Sequence, residues 1–302
     1  MKKNILLLFG ILLISWTPLD VFKSENDKIF EEVYQYFKER GNNVSKGKQY
    51  NYYFLEIITI NDLDELKQLL KLKRIGQLKF QGNSIREEHF NILSQFEEIS
   101  QLTLENINLS EKSAKYLSIT KISFALDLVK VGISDTSFQI ISNGNINPSS
   151  LWLHNMYISD DSLKYIGNMN NIESIWIDKC QNITDRSIEY LVKLEKLDNV
   201  RIRNMNITDV GLLTFLKSDD KYELFRRGSI DLTNNKVTDN GVEKFCKGVV
   251  IKKKRIREFS EKKVYKTKLS VGKNNVSPQI IDKLNEIDKY ENYEVDLYTE
   301  IN

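Results

Sequence analysis

Residues 151–160 read LWLHNMYISD, residues 175–185 read IWIDKCQNITD, and residues 200–209 read VRIRNMNITD. Each stretch begins with two apolar residues that are separated by a single residue, and it ends with Ile, then Ser or Thr, then Asp. The apolar pair recurs along the chain, with first members at Leu78, Leu102, Leu126, Leu151, Ile175, Val200 and Ile230, so that successive offsets are 24, 24, 25, 24, 25 and 30 residues. A fixed period in the range of about 20–50 residues is typical of stacked repeats.

Each repeat joins a strand pattern to a helix pattern. The alternating apolar pair predicts a short strand with one buried face. Three residues later comes another inward position, occupied by Ile107, Val131, Met156, Cys180, Met205 and Asn235. The Ser or Thr before Asp suits a helix N-cap, and apolar residues at helical spacing follow it. Since no repeat can bury its apolar face alone, the sequence predicts an α/β solenoid of about seven to nine repeats, with a parallel sheet on one side and helices on the other.

This pattern resembles the leucine-rich repeat superfamily, specifically its ribonuclease-inhibitor-like and cysteine-containing branch. The strands carry the resemblance, together with an I-[ST]-D-x-[GS] element at residues 183–187, 207–211 and, with Val in place of Ile, 237–241. It covers residues 55–280. The resemblance implies that the sheet lies on the concave face and the helices on the convex face. It also implies a binding scaffold whose concave face meets a protein or a glycan and which rarely catalyses a reaction.

The first 24 residues have the pattern of an export signal. Two lysines precede about a dozen apolar residues in the stretch MKKNILLLFGILLISW. This apolar run is shorter than the ~20 residues that a membrane-spanning helix needs. Pro18 follows Ser15-Trp16-Thr17, which is a poor cleavage site, so an uncleaved membrane anchor stays an alternative. The segment predicts a secreted or cell-envelope protein.

The remaining chain divides into a cap and a repeat domain. Residues 25–50 are predicted to form a helical N-terminal cap, because Ile29, Val33 and Phe37 follow helical spacing. Residues 51–302 are predicted to form the repeat domain, with insertions near 218–227 and 247–267 and a C-terminal cap. Residues 55–57 (LEI) and 269–271 (LSV) are predicted to add strands at its two ends, and residues 293–297 alternate like a terminal strand.

The residues between and after the apolar pairs are predicted to lie on the outer face of the sheet. Two rows of side chains follow from this alternation. The first row contains Trp152, Trp176 and Arg201, and the second contains His154, Asp178 and Arg203. Neighbouring Trp and Arg side chains are typical of interface hot spots, so these six residues are the predicted partner-binding site. In the alternative, they only stabilise the sheet, with Arg201 paired to Asp231 and Arg203 paired to Asp178.

A basic segment lies near the C-terminus. Residues 247–268 hold ten basic and two acidic residues, and residues 278–302 hold seven acidic and two basic residues. The densest part is a predicted basic patch of Lys252, Lys253, Lys254, Arg255 and Arg257. Such a patch attracts anionic lipid, polysaccharide or nucleic acid, or is a solvated helix face neutralised by the acidic tail. The whole chain has a net charge of only +2, so no nucleic-acid partner is expected, and membrane contact is expected only through this patch or an uncleaved N-terminus.

Residues that perform chemistry are scarce. The chain has two His and two Cys, and it lacks the phosphate-binding loop and hydrolase motifs. Catalytic activity, a metal site and a cofactor are therefore not expected. The sequence predicts an exported repeat protein that recognises a protein, or a surface glycan, through its concave face. The alternative is an intracellular substrate-recognition adaptor for a protein-modifying complex.

Overall fold

The computed structural model describes residues 25–41, 45–49, 52–56, 58–60, 62–218, 224–259, 264–287 and 292–297. The predicted export signal, residues 1–24, lies outside these ranges. The strands are β1 (Ser45–Gln49), β2 (Tyr52–Glu56), β3 (Ile58–Ile60), β4 (Arg74–Gln81), β5 (Glu98–Glu105), β6 (Ile122–Val129), β7 (Ser150–His154), β8 (Ser174–Asp178), β9 (Asn199–Arg203), β10 (Ser229–Asp231), β11 (Thr267–Ser270) and β12 (Tyr293–Asp296). The helices are α1 (Glu25–Glu39), α2 (Leu63–Leu70), α3 (Glu87–Leu93), α4 (Glu111–Ile119), α5 (Asp135–Ser142), α6 (Asp160–Ile166), α7 (Asp185–Leu191), α8 (Asp209–Thr214), α9 (Leu224–Arg227), α10 (Asp239–Phe259) and α11 (Ile280–Ile287).

The strands β3 to β12 form one parallel sheet in chain order. Neighbouring strands pair in the register in which the repeats align in the sequence. Leu126 lies opposite Leu151, which lies opposite Ile175, which lies opposite Val200. From β3 onward at least one helix separates each described strand from the next, so the predicted α/β repeat solenoid is confirmed.

The core lies between the sheet and the helices. In β8 and β9 the side chains alternate between buried and half-buried, with Ile175, Ile177, Val200 and Ile202 fully buried. Helix residues such as Ile188 pack against them. Because every repeat contributes the same inward positions, one continuous apolar core runs through the solenoid.

The helices begin at capped residues that also join neighbouring repeats. Thr208 caps α8, and its side-chain oxygen accepts a hydrogen bond from the Val210 amide. The Asp185 carboxylate of the preceding repeat accepts the Thr208 amide at 2.8 Å and also accepts the Thr208 hydroxyl. The same contact joins Asp160 to Thr184, Asp209 to Thr238 and Asp239 to Ser277. We call this series the aspartate ladder.

The ladder explains the small residue in the I-[ST]-D-x-[GS] element. A Cβ atom at Gly241 would lie 2.1 Å from the Oδ1 atom of Asp209, a separation that no real contact reaches. A Cβ atom at Gly211 would similarly lie 2.4 Å from the Oδ1 atom of Asp185. At Gly211 and Gly241 the carboxylate of the previous repeat therefore leaves no room for a Cβ atom, whereas the equivalent position after the Asp160–Thr184 contact holds Ser187.

The inward position after each strand satisfies backbone groups where the chain turns away from the sheet. Asn235 is buried there, and its amide nitrogen donates to the carbonyls of Ile202 at 2.7 Å and Leu232 at 3.0 Å. Its side-chain oxygen accepts the Ile207 amide at 3.0 Å. Cys180 occupies the same position two repeats earlier and donates to the Leu153 carbonyl. These side chains supply hydrogen bonds to backbone groups that would otherwise be buried in the turn without a partner.

The N-terminal cap contains the predicted helix, followed by a hairpin. Helix α1 ends at Glu39 and buries Val33 and Phe37, two of the residues at helical spacing, together with Phe30, and residues 45–49 and 52–56 form an antiparallel hairpin. Of the strand predicted at residues 55–57, residues 55 and 56 belong to this hairpin, and residue 57 lies outside the described residues. The strand that joins the main sheet is β3, in which Ile58 lies opposite Leu78. The sequence alternation of both segments is strand-like, so only their pairing distinguishes them.

The insertion predicted near 247–267 is helical over residues 247–259, because α10 continues through them as a single helix of 21 residues. In the insertion near 218–227, Leu224 and Phe225 of α9 are buried in the core. The strand β12 pairs with β11 as the alternation at 293–297 predicts. Among the helices described, none combines the length and apolarity needed to cross a bilayer.

Candidate functional site

The candidate site lies on the open face, the face of the ten-stranded sheet that is turned away from the helices. The strands β6 to β9 position it. Asp127, Trp152, Trp176 and Arg201 lie opposite one another in the first row, as the alignment predicts. In the second row, the residues Val129, His154, Asp178 and Arg203 lie opposite one another.

Three aromatic rings meet at the centre of this face. The rings of Trp152 and Trp176 lie 6.3 Å apart at an angle of 69°, an edge-to-face arrangement. The His154 ring lies 4.9 Å from Trp176, also edge to face. All three side chains are half-buried. The indole nitrogen of Trp176 has no hydrogen-bond partner among the described residues, so an unused donor lies within the cluster.

Two guanidinium groups lie over the Trp176 ring. Arg201 is 5.1 Å and Arg203 is 5.9 Å from the ring centroid, which are distances typical of cation–π contacts. Arg203 also donates to Asp231, with its Nε atom 2.8 Å from Oδ2. The pairings Arg201–Asp231 and Arg203–Asp178 considered from the sequence are therefore wrong. Arg203 reaches diagonally to the neighbouring strand β10, where Asp231 lies opposite Arg201, and a row-by-row alignment does not reveal this contact.

The carboxylate of the second row, Asp178, is hydrogen-bonded to a neutral side chain. The Asn204 amide donates to Asp178, and the Asn234 amide in turn donates to Asn204 at 2.7 Å. Asn204 and Asn234 adopt positive φ values of 56° and 57°, in the turn that follows each strand. Because the Asn204 side chain reaches Asp178, the turn residues belong to the same surface as the strand residues.

Asp127 and His154 form the titratable edge of the site. Burial raises the pKa of Asp127 to about 6, although a hydrogen bond from Thr103 and the charge of Lys79 oppose this. Burial also lowers the pKa of His154, against the effect of the Asp178 charge. The Nε2 atom of His154 lies 3.9 Å from the Oδ1 atom of Asp127, which has no hydrogen-bond partner among the described residues. This carboxylate is thus poorly stabilised in its ionised form.

The alignment of strands missed two lysines beside the site. Lys130 and Lys179 occupy the turn position that Asn204 occupies in its repeat, with φ values of 51° each. Both side chains are exposed, and they follow β6 and β8, the strands that carry Asp127 and Trp176. The signal was present as a column of Asn and Lys three residues after the first-row residues. We call Lys130 and Lys179 the lysine rim.

The predicted basic patch is not one surface. Lys252 is buried and donates to the Ser218 carbonyl at 2.6 Å, and Lys253 is fully buried and donates to the Tyr265 carbonyl. Only Lys254, Arg255 and Arg257 of the patch are exposed. Two of the five charges therefore satisfy carbonyl groups at the end of the solenoid. The two lysines are turned inward because residues 247–259 follow a helical path.

The site offers binding groups, namely indole rings, a guanidinium and flanking ammonium groups. Cys180 is buried behind the sheet, and burial raises the pKa of its thiol to about 11, so the thiolate is not populated near neutral pH. Among the described residues, no three His, Cys, Asp or Glu side chains are grouped to hold a metal ion. No protein-family model matches this chain, and no curated protein matches it.

Proposed function

We propose that this chain is an exported leucine-rich repeat protein that binds another protein through the open face of its sheet. The single observation that carries the proposal is the cluster of Trp152, Trp176 and Arg201 on that face. Trp and Arg are the residues most enriched at interface hot spots. A half-buried pair of indoles covered by a partner would lose the remaining contact with water, which favours association.

The scaffold supports this reading because it holds the cluster rigidly. Trp152 and Trp176 lie on neighbouring parallel strands whose opposite faces are anchored in the core by Leu151, Leu153 and Ile177. The aspartate ladder links the same repeats on the helix side. A preorganised surface loses little conformational freedom when a partner binds, so more of the contact energy contributes to affinity.

The leucine-rich repeat assignment rests on the repeat and on its inward polar position. Asn274 repeats the contacts of Asn235, donating to the Leu232 and Val271 carbonyls at 2.8 and 3.0 Å. Its side-chain oxygen accepts the Val237 amide at 2.9 Å. A polar side chain that bonds the turn of one repeat to the strand of the previous one supports the assignment.

Export is proposed from residues 1–24 alone. Fractionation of the producing cell, followed by sequencing of the mature N-terminus, tests it. The proposal expects the protein in the medium or the cell envelope. Full-length protein in the cytosol would contradict export and favour the adaptor alternative.

Binding is tested by comparing two double variants in a pull-down from the producing culture. Trp152→Ala with Trp176→Ala removes the cluster, whereas Tyr165→Ala with Tyr190→Ala removes two half-buried aromatic residues from α6 and α7 of the same repeats. The wild type and the tyrosine variant are expected to enrich the same protein, and the tryptophan variant is expected to lose it. The enriched protein, once purified, is titrated against all three forms. If the tryptophan variant binds the purified protein with the same affinity as the wild type, the proposal is wrong.

A further inference from the structure

The charged side chains around Trp176 divide into paired and unpaired groups. Lys79 is paired with Glu105, and Arg203 is paired with Asp231. Arg201 lies over the indole of Trp176, and it forms no ion pair with any residue that the structure describes. The lysine rim likewise forms no ion pair within the described ranges. Three cations next to the aromatic cluster are therefore available to a ligand.

The carboxylates of the same face are already engaged. Asp231 accepts from Arg203 and from the Thr233 amide at 3.0 Å, and Asp178 accepts from Asn204. The Asp127 side chain is only 15% exposed and accepts from Thr103. The groups that this part of the face presents to an incoming ligand are thus mainly cationic, and charge complementarity favours an anionic ligand.

The arrangement of the rings favours a carboxylate-bearing peptide over a sugar. The two indoles are tilted by 69° and do not form a flat platform. One face of Trp176 is near two guanidinium groups, and the His154 ring lies against the same indole. A planar guanidinium matches a carboxylate through two parallel hydrogen bonds. Trp152 is left to contact an apolar side chain.

We infer that the open face recognises an acidic segment of a polypeptide, with a carboxylate bound by Arg201, further acidic groups near the lysine rim and an apolar side chain against Trp152. This inference rests on the proposed function, because it specifies the partner of the same face. It also explains why Arg203, not Arg201, neutralises Asp231. That pairing leaves the Arg201 guanidinium free for the partner.

Fluorescence titration of the full chain with defined peptides tests the inference. Trp152 and Trp176 are two of the three tryptophans, so the signal reports on the site. The probe is the end-blocked hexapeptide Glu-Glu-Phe-Glu-Glu-Phe, compared with a version in which Gln replaces each Glu. The acidic peptide is expected to bind at least tenfold more tightly, and its affinity is expected to fall as NaCl is raised from 20 to 500 mM, because salt screens exposed charges.

Four variants show which residues bind the acidic peptide. Arg201→Gln and Lys179→Gln are each expected to weaken the acidic peptide at least fivefold, and Arg201→Lys is expected to retain part of the affinity. Lys164→Gln removes one exposed charge from α6 on the helix side and is expected to change nothing. Circular dichroism melting curves show whether each variant remains folded.

Several outcomes would overturn the inference. These are absence of binding by the acidic peptide, equal binding by the Gln peptide, and binding of a polygalacturonate oligosaccharide in place of the peptide. If the wild type does not bind the acidic peptide, and the tryptophan variant fails to enrich the partner protein, only this inference fails. If the tryptophan variant keeps the partner, the proposed function itself fails.

Discussion

Asp209 of one repeat accepts two hydrogen bonds from Thr238 of the next, the backbone amide at 2.8 Å and the side-chain hydroxyl at 2.6 Å. Thr238 directly precedes α10. The carboxylate thus lies at the positive end of one helix dipole while belonging to the first turn of the previous helix. The contact joins two repeats and fixes where the second helix begins.

Replacing Asp209 by Ala is expected to lower the free energy of unfolding by about 2–4 kcal/mol, because hydrogen bonds to a charged group contribute about 1.5–3 kcal/mol each. Urea unfolding followed by circular dichroism measures the loss. Asp161→Ala is the matched control, because Asp161 lies in the first turn of α6 but makes only an exposed contact with Arg186 at 3.4 Å. The control is expected to cost less than about 1 kcal/mol. Equal losses would show that the ladder is not a stabilising contact.

Gly241→Ala is expected to destabilise the protein mainly through Asp209, whose Oδ1 atom would lie 2.1 Å from the new Cβ. The two substitutions are therefore coupled. In the Asp209→Ala background, Gly241→Ala is expected to cost at least about 1 kcal/mol less than in the wild type. Urea unfolding of the four proteins of this double-mutant cycle gives the coupling energy, and additive effects would contradict the steric account.

Asn235→Leu is expected to cost about 2–4 kcal/mol, because it leaves the Ile207 amide and the Ile202 carbonyl without their partner. Met205 occupies the equivalent position of the preceding repeat and is apolar. Met205→Leu, a swap of similar volume, is expected to cost less than about 1.5 kcal/mol. Thermal and urea unfolding distinguish the two. A similar loss in both variants would mean that the amide is retained for its size alone.

Asp127→Asn is expected to stabilise the protein at neutral pH. Burial raises the folded pKa of Asp127 from 3.8 to about 6, so the native state binds more protons than the unfolded chain between these values. The contribution of Asp127 to the free energy of unfolding of the wild type therefore falls as the pH rises from 3.8 to about 6. The fall is about 3 kcal/mol at most, and the contribution does not recover at higher pH.

The comparison of wild type with Asp127→Asn isolates this effect. The lowered pKa of His154 acts in the opposite direction, since its contribution grows as the pH rises towards 6.5, but it is common to both proteins. Urea unfolding at pH 4 and pH 7.5 is expected to give a variant that gains stability relative to wild type only at the higher pH. An equal difference at both pH values would show that the carboxyl does not titrate in this range.

Residue patterns predicted the repeat frame because inward positions must recur at the strand spacing. This is why Leu151, Ile175 and Val200 lie in register and why Trp152 and Trp176 are neighbours. The extra residue of the 25-residue repeats lies outside the paired strands, so the register of the strands is unchanged. Local pattern and long-range packing agree at these positions.

The remaining features depend on contacts that a repeat alignment does not contain. The diagonal reach of Arg203 to Asp231 depends on side-chain length and on which carboxylate is free. Lys252 and Lys253 are buried because α10 runs on for 21 residues and turns them towards carbonyl groups of other segments. Charge density along the sequence gave no sign of this. The lysine rim was missed because the turn after each strand was not treated as part of the surface.

Photo-crosslinking in the producing culture tests most directly whether the open face is the binding surface. A benzoylphenylalanine replaces Asn155, the turn residue after the strand of Trp152, in one protein and Lys164 on the helix side in another; both positions are exposed. Irradiation is expected to attach a discrete partner protein at position 155 and not at position 164. Attachment at position 164 alone, or at neither position, would contradict binding through the open face.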